Sequence, residues 1–279
     1  MTENILGRIA INNFTYRRYS FDYFLESAVR LGVKQLELSG CHPHFTVYEA
    51  EHFDVKGLAK KIREKGLEVA AIEPEQNFLP INIASVNQYL REESVRQLRF
   101  YIESAPEFGC DKVILYPGKA LVNYPHSQAW NYACESIDKL RKTAKACGVT
   151  LLLEAVSPFI SDLMPDSSTV KRMMDELGQD GLGCCVNSSA ASLAGETLED
   201  YFEKFGDKIG MVQLSDNVED NDQLVLGEGG QDLSLHLQTL KKYQYAGPVS
   251  LEIIMEEYAY QAEHYYEESI SYLKKHLEK

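Results

Sequence analysis

The sequence predicts an α/β protein with a (β/α)8 TIM barrel. Three observations carry this. Short apolar runs alternate with longer amphipathic stretches along all 279 residues. Each run is about five residues long and rich in Val, Ile and Leu, the composition of strands buried on both faces. Eight strand–helix units in about 270 residues is the count for a closed barrel. The rival, an open doubly wound sheet, normally brings a glycine fingerprint after its first strand, and GxGxxG is absent there. No linker, composition shift, tandem repeat or low-complexity tract divides the chain, so residues 1–279 read as a single barrel domain.

The predicted strands are 8–12 (RIAIN), 34–38 (KQLEL), 68–72 (EVAAI), 112–116 (KVILY), 150–154 (TLLLE), 182–186 (LGCCV), 210–214 (GMVQL) and 249–253 (VSLEI). Helical periodicity fills the intervals. The segment 20–31 opens on Ser20 as a cap; 55–65, 91–108 and 128–147 each run into a glycine, Gly66, Gly109 and Gly148. Further helices are predicted at 168–177, 198–205 and 233–243, and 258–276 closes the fold. Its tyrosine run YAYQAEHYY has the helical spacing of packing residues.

Composition excludes several classes of function. The 28 Lys and Arg face 42 Asp and Glu, a formal charge of −14, whereas a nucleic-acid surface needs a basic face. No apolar run approaches the roughly 20 residues that span a bilayer. The opening MTENILGRIAINN lacks the basic-then-apolar order of a signal peptide, so a cytoplasmic protein is expected. Six scattered cysteines without a CxxC pair read as reduced thiols, and adjacent Cys184 and Cys185 point to opposite faces of a strand.

In a barrel of this kind the chemistry sits at the C-terminal ends of the strands and in the loops that follow. The fifth strand ends at Glu154 and the eighth carries Glu252. A carboxylate set in an apolar strand is costly unless something compensates it. Two at one level of the barrel suggest an acid/base pair or metal ligands; the plainer alternative is a buried ion pair for each. The sixth strand ends at Asn187 and the seventh holds Gln213. Their amides could contact substrate or metal, or simply hydrogen-bond loop backbone. Earlier loops offer His44 after the second strand and Glu75 and Asn77 after the third, all read as substrate contacts, although a loop histidine is more often a surface group. The glycine-rich QLVLGEGGQD (223–232) has backbone N–H groups for a phosphate but no lysine or Walker pattern.

At these residues the sequence resembles the sugar phosphate isomerase/epimerase family with the xylose-isomerase-like barrel. The resemblance runs end to end, most specifically in LLLEAVSPF (151–159), FEKFGDKIGMVQLSDN (202–217), LGEGGQDL (226–233) and GPVSLEII (247–254). Pro43 and His44, the PExN of Pro74, Glu75 and Asn77, the RExS at 91–94 and the GDK at 206–208 resemble the fructoselysine 3-epimerase branch. The family's divalent metal is held by Glu, Asp, His and Glu on strands five to eight, which the resemblance places at Glu154, Asn187, Gln213 and Glu252. Two of the four depart from the pattern. Asn and Gln can ligate through carbonyl oxygen, which suits Mg²⁺ or Mn²⁺ better than zinc, so the implied metal site is weakened or absent.

The resemblance implies a sugar isomerase or epimerase in which Glu154 and Glu252 are catalytic and move a proton beside a carbonyl. His44, Glu75, Asn77, Asn187 and Gln213 would contact a small sugar or sugar conjugate. A catalytically silent sugar-binding barrel and a lyase or dehydratase on the same scaffold are the alternatives. The expected partners are a small-molecule sugar and, as in many such barrels, another copy of the chain.

Overall fold

A computed structural model describes residues 5–49, 53–76 and 81–278. The strands β1 (Ile9–Asn12), β2 (Gln35–Ser39), β3 (Glu68–Glu73), β4 (Lys112–Leu115), β5 (Thr150–Glu154), β6 (Leu182–Asn187) and β7 (Ile209–Leu214) pair in parallel, each with the next. The last barrel strand, β10 (Val249–Leu251), joins β7 to β1 and closes the ring. All eight predicted strands are present, within two residues at either end. Between β7 and β10 lies a feature the periodicity does not predict, an antiparallel hairpin of β8 (Asp216–Val218) and β9 (Asn221–Leu224).

Around the ring lie α1 (Phe21–Arg30), α2 (Val55–Glu64), α3 (Gln88–Ser104), α4 (His126–Ala146), α5 (Ser167–Leu177), α6 (Ser188–Leu193), α7 (Leu198–Phe205), α8 (Leu233–Lys242) and α9 (Ala262–Leu277). Their ends follow local chemistry. The Ser20 hydroxyl accepts from the Tyr23 N–H, and Thr197 and Asp200 form a reciprocal capping box on α7. Gly66 and Gly148, with φ of +71° and +70°, turn the chain out of α2 and α4 as predicted. The helix α3 starts three residues before the expected Arg91 because Asn87 caps it, accepting from the Leu90 N–H. The predicted helix 258–276 divides into a 3-10 turn, Glu256–Tyr260, and α9. Among the described residues no helix is long and apolar enough to cross a membrane.

Strand alternation sorts the side chains into two cores. Outward-facing residues such as Ile11, Leu36, Leu38, Leu151, Leu153, Val186 and Val212 pack under the helices. A separate cluster fills the lower barrel: Ala10, Ala71, Ile114, Leu152, Cys185 and Met211. Leu152 occupies the space that side chains at positions 183 and 210 would need: a Cβ on Gly183 or Gly210 would lie 2.8 or 2.6 Å from its Cδ2. Cys184 belongs to the outer core and Cys185 to the inner one, and all six cysteines are free.

Candidate active site

Going up each strand from the apolar floor, the next inward positions are polar. They are Asn12, Ser39, Glu73, Glu154, Asn187 and Gln213 at or next to the strand ends and Glu252 one residue past β10, with Glu37 and Ser250 two residues before Ser39 and Glu252. Register sets neighbours together: Ser39 opposite Glu73, Asn12 opposite Glu37, and Asn187 and Ser250 both beside Gln213. Above them a narrow cleft opens to solvent. Glu73, Glu75, Glu154 and Glu252 line it, with Phe14, Tyr116, Val156, Ile160 and Ile254 as walls. Among the described residues no Lys, Arg or His lines this cleft.

The two amides at the strand ends have fixed orientations. The Asn187 Oδ1 caps α6, accepting from the N–H groups of Ser189 at 3.0 Å and Ala190 at 3.1 Å. Its Nδ2 is thereby turned inward, where it donates to Glu252 Oε2. Gln213 donates from Nε2 to Glu37 Oε1 at 2.6 Å, while its Oε1 accepts from Cys185 Sγ at 3.3 Å and Asn187 Nδ2 at 3.5 Å. Flipping either amide would set an oxygen against a carboxylate. Both side chains therefore present N–H groups to the carboxylates and keep their oxygens engaged elsewhere. That arrangement does not fit a divalent cation, which needs those same positions to offer oxygen lone pairs. Among the described residues no cluster of three His, Cys, Asp or Glu side chains has metal-holding geometry.

Burial dominates the electrostatics. It pushes the carboxyls of Glu37, Glu154 and Glu252 above the usual range, and for Glu154 and Glu252 the neighbouring carboxylates push the same way. Hydrogen bonding from Asn187 partly offsets the shift at Glu154. Glu73 is pushed up to about 8 by burial and then by Glu37 and Glu75, against hydrogen bonds from Asn12 and Ser39. Buried oxygens of Glu37 and Glu154, Oε2 in both cases, have no hydrogen-bond partner among the described residues. Glu154 lines the cleft, so a ligand donor can satisfy its free oxygen.

Of the residues singled out in the sequence, Glu154, Asn187, Gln213 and Glu252 come together in one network and Glu75 joins them on the cleft wall. Asn77 lies outside the described residues. His44 is not brought to the cleft. It is buried at 3% exposure with Nε2 2.8 Å from the Tyr19 carbonyl and Nδ1 3.3 Å from Asn13 Nδ2, against the rings of Phe21 and Phe24. The glycine-rich loop spends its backbone donors within the protein: Asp216 accepts from the N–H groups of Gly227 at 3.0 Å and Gln231 at 2.9 Å.

The site also holds residues that the strand-end search passes over, Asn12, Glu37, Ser39 and Glu73. Alternation carried the signal for Glu37 and Ser39: Leu36 and Leu38 face the helices, so Glu37 between them and Ser39 after them face in. Glu73 follows the last residue of its predicted strand and completes β3.

The profile of the xylose isomerase-like TIM barrel family matches residues 25–276. The chain is 22% identical over 240 residues to a fructoselysine 3-epimerase of Shigella flexneri, covering 86% of this chain and 87% of that protein. It is 26% identical over 261 residues to an L-ribulose 3-epimerase of Mesorhizobium japonicum, covering 90% and 83%. A solved structure of L-ribulose 3-epimerase superposes with a TM-score of 0.80 at 23% identity, covering 98% of this chain and 95% of that one.

Proposed function

The chain belongs to the xylose isomerase-like TIM barrel family, and from that premise we propose that it is a sugar isomerase or epimerase working on the carbon next to a ketose carbonyl. One observation carries the reading: Glu154 and Glu252 stand buried at the C-terminal ends of two barrel strands and line the same cleft. In the proposed reaction one glutamate, as carboxylate, removes the proton from carbon, and the other, as acid, returns one to the opposite face. Asn187, on the strand next to that of Glu154, donates to Glu252 and so positions that carboxyl. The names of the relatives support 3-epimerisation of a free ketose or a ketose–amine conjugate. The absence of basic side chains along the described cleft wall favours unphosphorylated substrates.

Glu75 is assigned to substrate contact from the cleft wall, and Asn77 is proposed for the same role by its place two residues on. Catalysis in this reading does not pass through a divalent metal, because Asn187 and Gln213 direct donors at the carboxylates. The same amides favour one second reading, a sugar-binding barrel that no longer turns over. Incubation with a panel of ketoses and ketose–amine conjugates, followed by NMR, decides between them. Appearance of the C3 epimer supports the enzyme; binding of a sugar by calorimetry without any epimer supports the silent barrel.

A further inference from the structure

Proton transfer at carbon leaves negative charge on the neighbouring oxygen, and something must stabilise it. The basic side chains Lys, Arg and His are absent from the described cleft wall, and the Asn187 and Gln213 amides are already committed to Glu252 and Glu37. Glu73 is an acidic group on that wall placed to offer a proton. It ends β3 on the cleft wall, and both of its hydrogen bonds converge on one oxygen, Oε2: Asn12 Nδ2 at 3.1 Å and Ser39 Oγ at 3.2 Å. Both groups donate to Oε2 and satisfy that oxygen. Burial and the neighbouring carboxyls raise the proton affinity of Glu73, and with Oε2 held by two donors the proton sits on Oε1, which has no partner among the described residues.

We propose that Glu73 is a third catalytic carboxyl, which as a carboxylic acid hydrogen-bonds and protonates the substrate's carbonyl oxygen while Glu154 and Glu252 exchange protons at the adjacent carbon. The inference rests on the proton-transfer reaction proposed above. Protons balance as follows. The basic glutamate takes the proton from carbon, and the C–H electron pair becomes the C=C bond of an enediol. The carbonyl oxygen takes the Glu73 proton. The second glutamate then protonates carbon from the other face, the C=O bond reforms, and the hydroxyl proton returns to Glu73. Three carboxyls share two protons throughout, so the cleft avoids three charges in one buried space. The groups facing Glu73 are Glu37 from β2, Glu75 from its own loop, Glu154 and Glu252 across the mouth, and the Tyr116 phenol.

The test compares wild type with Glu73→Gln and Glu73→Asp, each with folding checked by circular dichroism. Glu73→Gln is expected to lower kcat about 10²- to 10³-fold with KM changed by less than about threefold. In wild type, kcat falls as pH rises through about 8, where Glu73 ionises. Glu73→Asp keeps an alkaline decline and Glu73→Gln loses it, a difference that a purely structural role would not produce. Infrared spectroscopy adds a readout independent of turnover: a component of the protonated-carboxyl absorption that fades as pH rises through about 8 and is lost in Glu73→Gln, while the component from the Glu154 and Glu252 pair remains. Glu73→Gln with near wild-type turnover, or with its alkaline decline intact, overturns the role of Glu73 and leaves the two-glutamate reaction standing. If Glu73→Gln does not fold, absence of that fading component from wild type overturns the proposal. Failure of wild type to exchange a carbon-bound proton of any ketose removes the reaction itself.

Discussion

The floor and the mouth of the barrel are built from the same strands, two residues apart, and obey opposite rules. At the floor Ala10, Ala71, Ile114, Leu152, Cys185 and Met211 form an apolar cluster with no carboxyl in it. At the mouth the inward positions of those strands become Asn12, Glu73, Glu154, Asn187 and Gln213, beside Glu252. Moving two residues along a strand keeps the side chain on the same face, so one period carries both layers. The floor is optimised for packing. The mouth crowds carboxyls that repel one another and raise each other's affinity for protons, a cost to stability that the proposed proton transfer would put to use.

Substitutions can break that contrast in both directions. The largest effect is expected at the mouth: Glu154→Gln or Glu252→Gln should cut epimerase turnover by about 10²- to 10⁴-fold. Thermal denaturation should show either variant at least as stable as wild type, because a buried repulsive charge is removed. At the floor the pattern reverses. Leu152→Ala should lower stability by about 2–5 kcal/mol in urea titration, through the cavity left beside Gly183 and Gly210. Turnover per folded molecule should persist. A floor variant that abolished activity without destabilising the chain would end the distinction.

The amides sharpen it further. Asp caps helices as well as Asn does, so Asn187→Asp keeps the start of α6 while turning an N–H donor into an oxygen. Combined with Gln213→His it should create affinity for Mn²⁺. Calorimetry should detect binding at least tenfold tighter than to wild type, for which no binding below about millimolar metal is expected. Stoichiometric micromolar binding by wild type, lost in Glu154→Gln, would contradict the reading of the amides. The smallest effect is in the pH dependence of folding. Glu73 has a folded pKa of about 8, above the ordinary glutamate value near 4.5, so protons bind the folded chain more tightly than the unfolded one. Its contribution is fully present below about pH 4.5 and is lost as pH rises through about 8. The slope of stability between those pH values, followed by chemical denaturation, should flatten in Glu73→Gln.

Much of this contrast was legible in the sequence, for particular reasons. Strands such as TLLLE and LGCCV announce themselves as apolar runs, and Glu154 and Glu252 stand out as charges within them. Other features left no mark. The β8–β9 hairpin turns at Glu219 and Asp220, with Glu219 at φ +51°, and has neither an Asn-Gly turn nor apolar alternation. The helix α6 is six residues long, too short for periodicity. His44 looked like a loop histidine, and only the packing of Phe21 and Phe24 around it shows why it is buried. The sequence resemblance pointed to Asn187 and Gln213 as altered ligands. Which end of each amide faces the carboxyls is decided by the α6 cap and by Glu37, and those are tertiary facts.

The central claim, that Glu154 and Glu252 exchange protons with opposite faces of a carbon next to a carbonyl, is tested most directly by solvent deuterium exchange. A ketose substrate and its C3 epimer would each be incubated in D₂O with wild type, Glu154→Gln and Glu252→Gln, and label at C3 followed by NMR. Label is expected in both epimers with wild type. Each variant is expected still to wash the proton out of one epimer and not the other, with the two variants showing opposite preference. Exchange from both epimers surviving in either variant, or the same loss in both, would contradict the central claim.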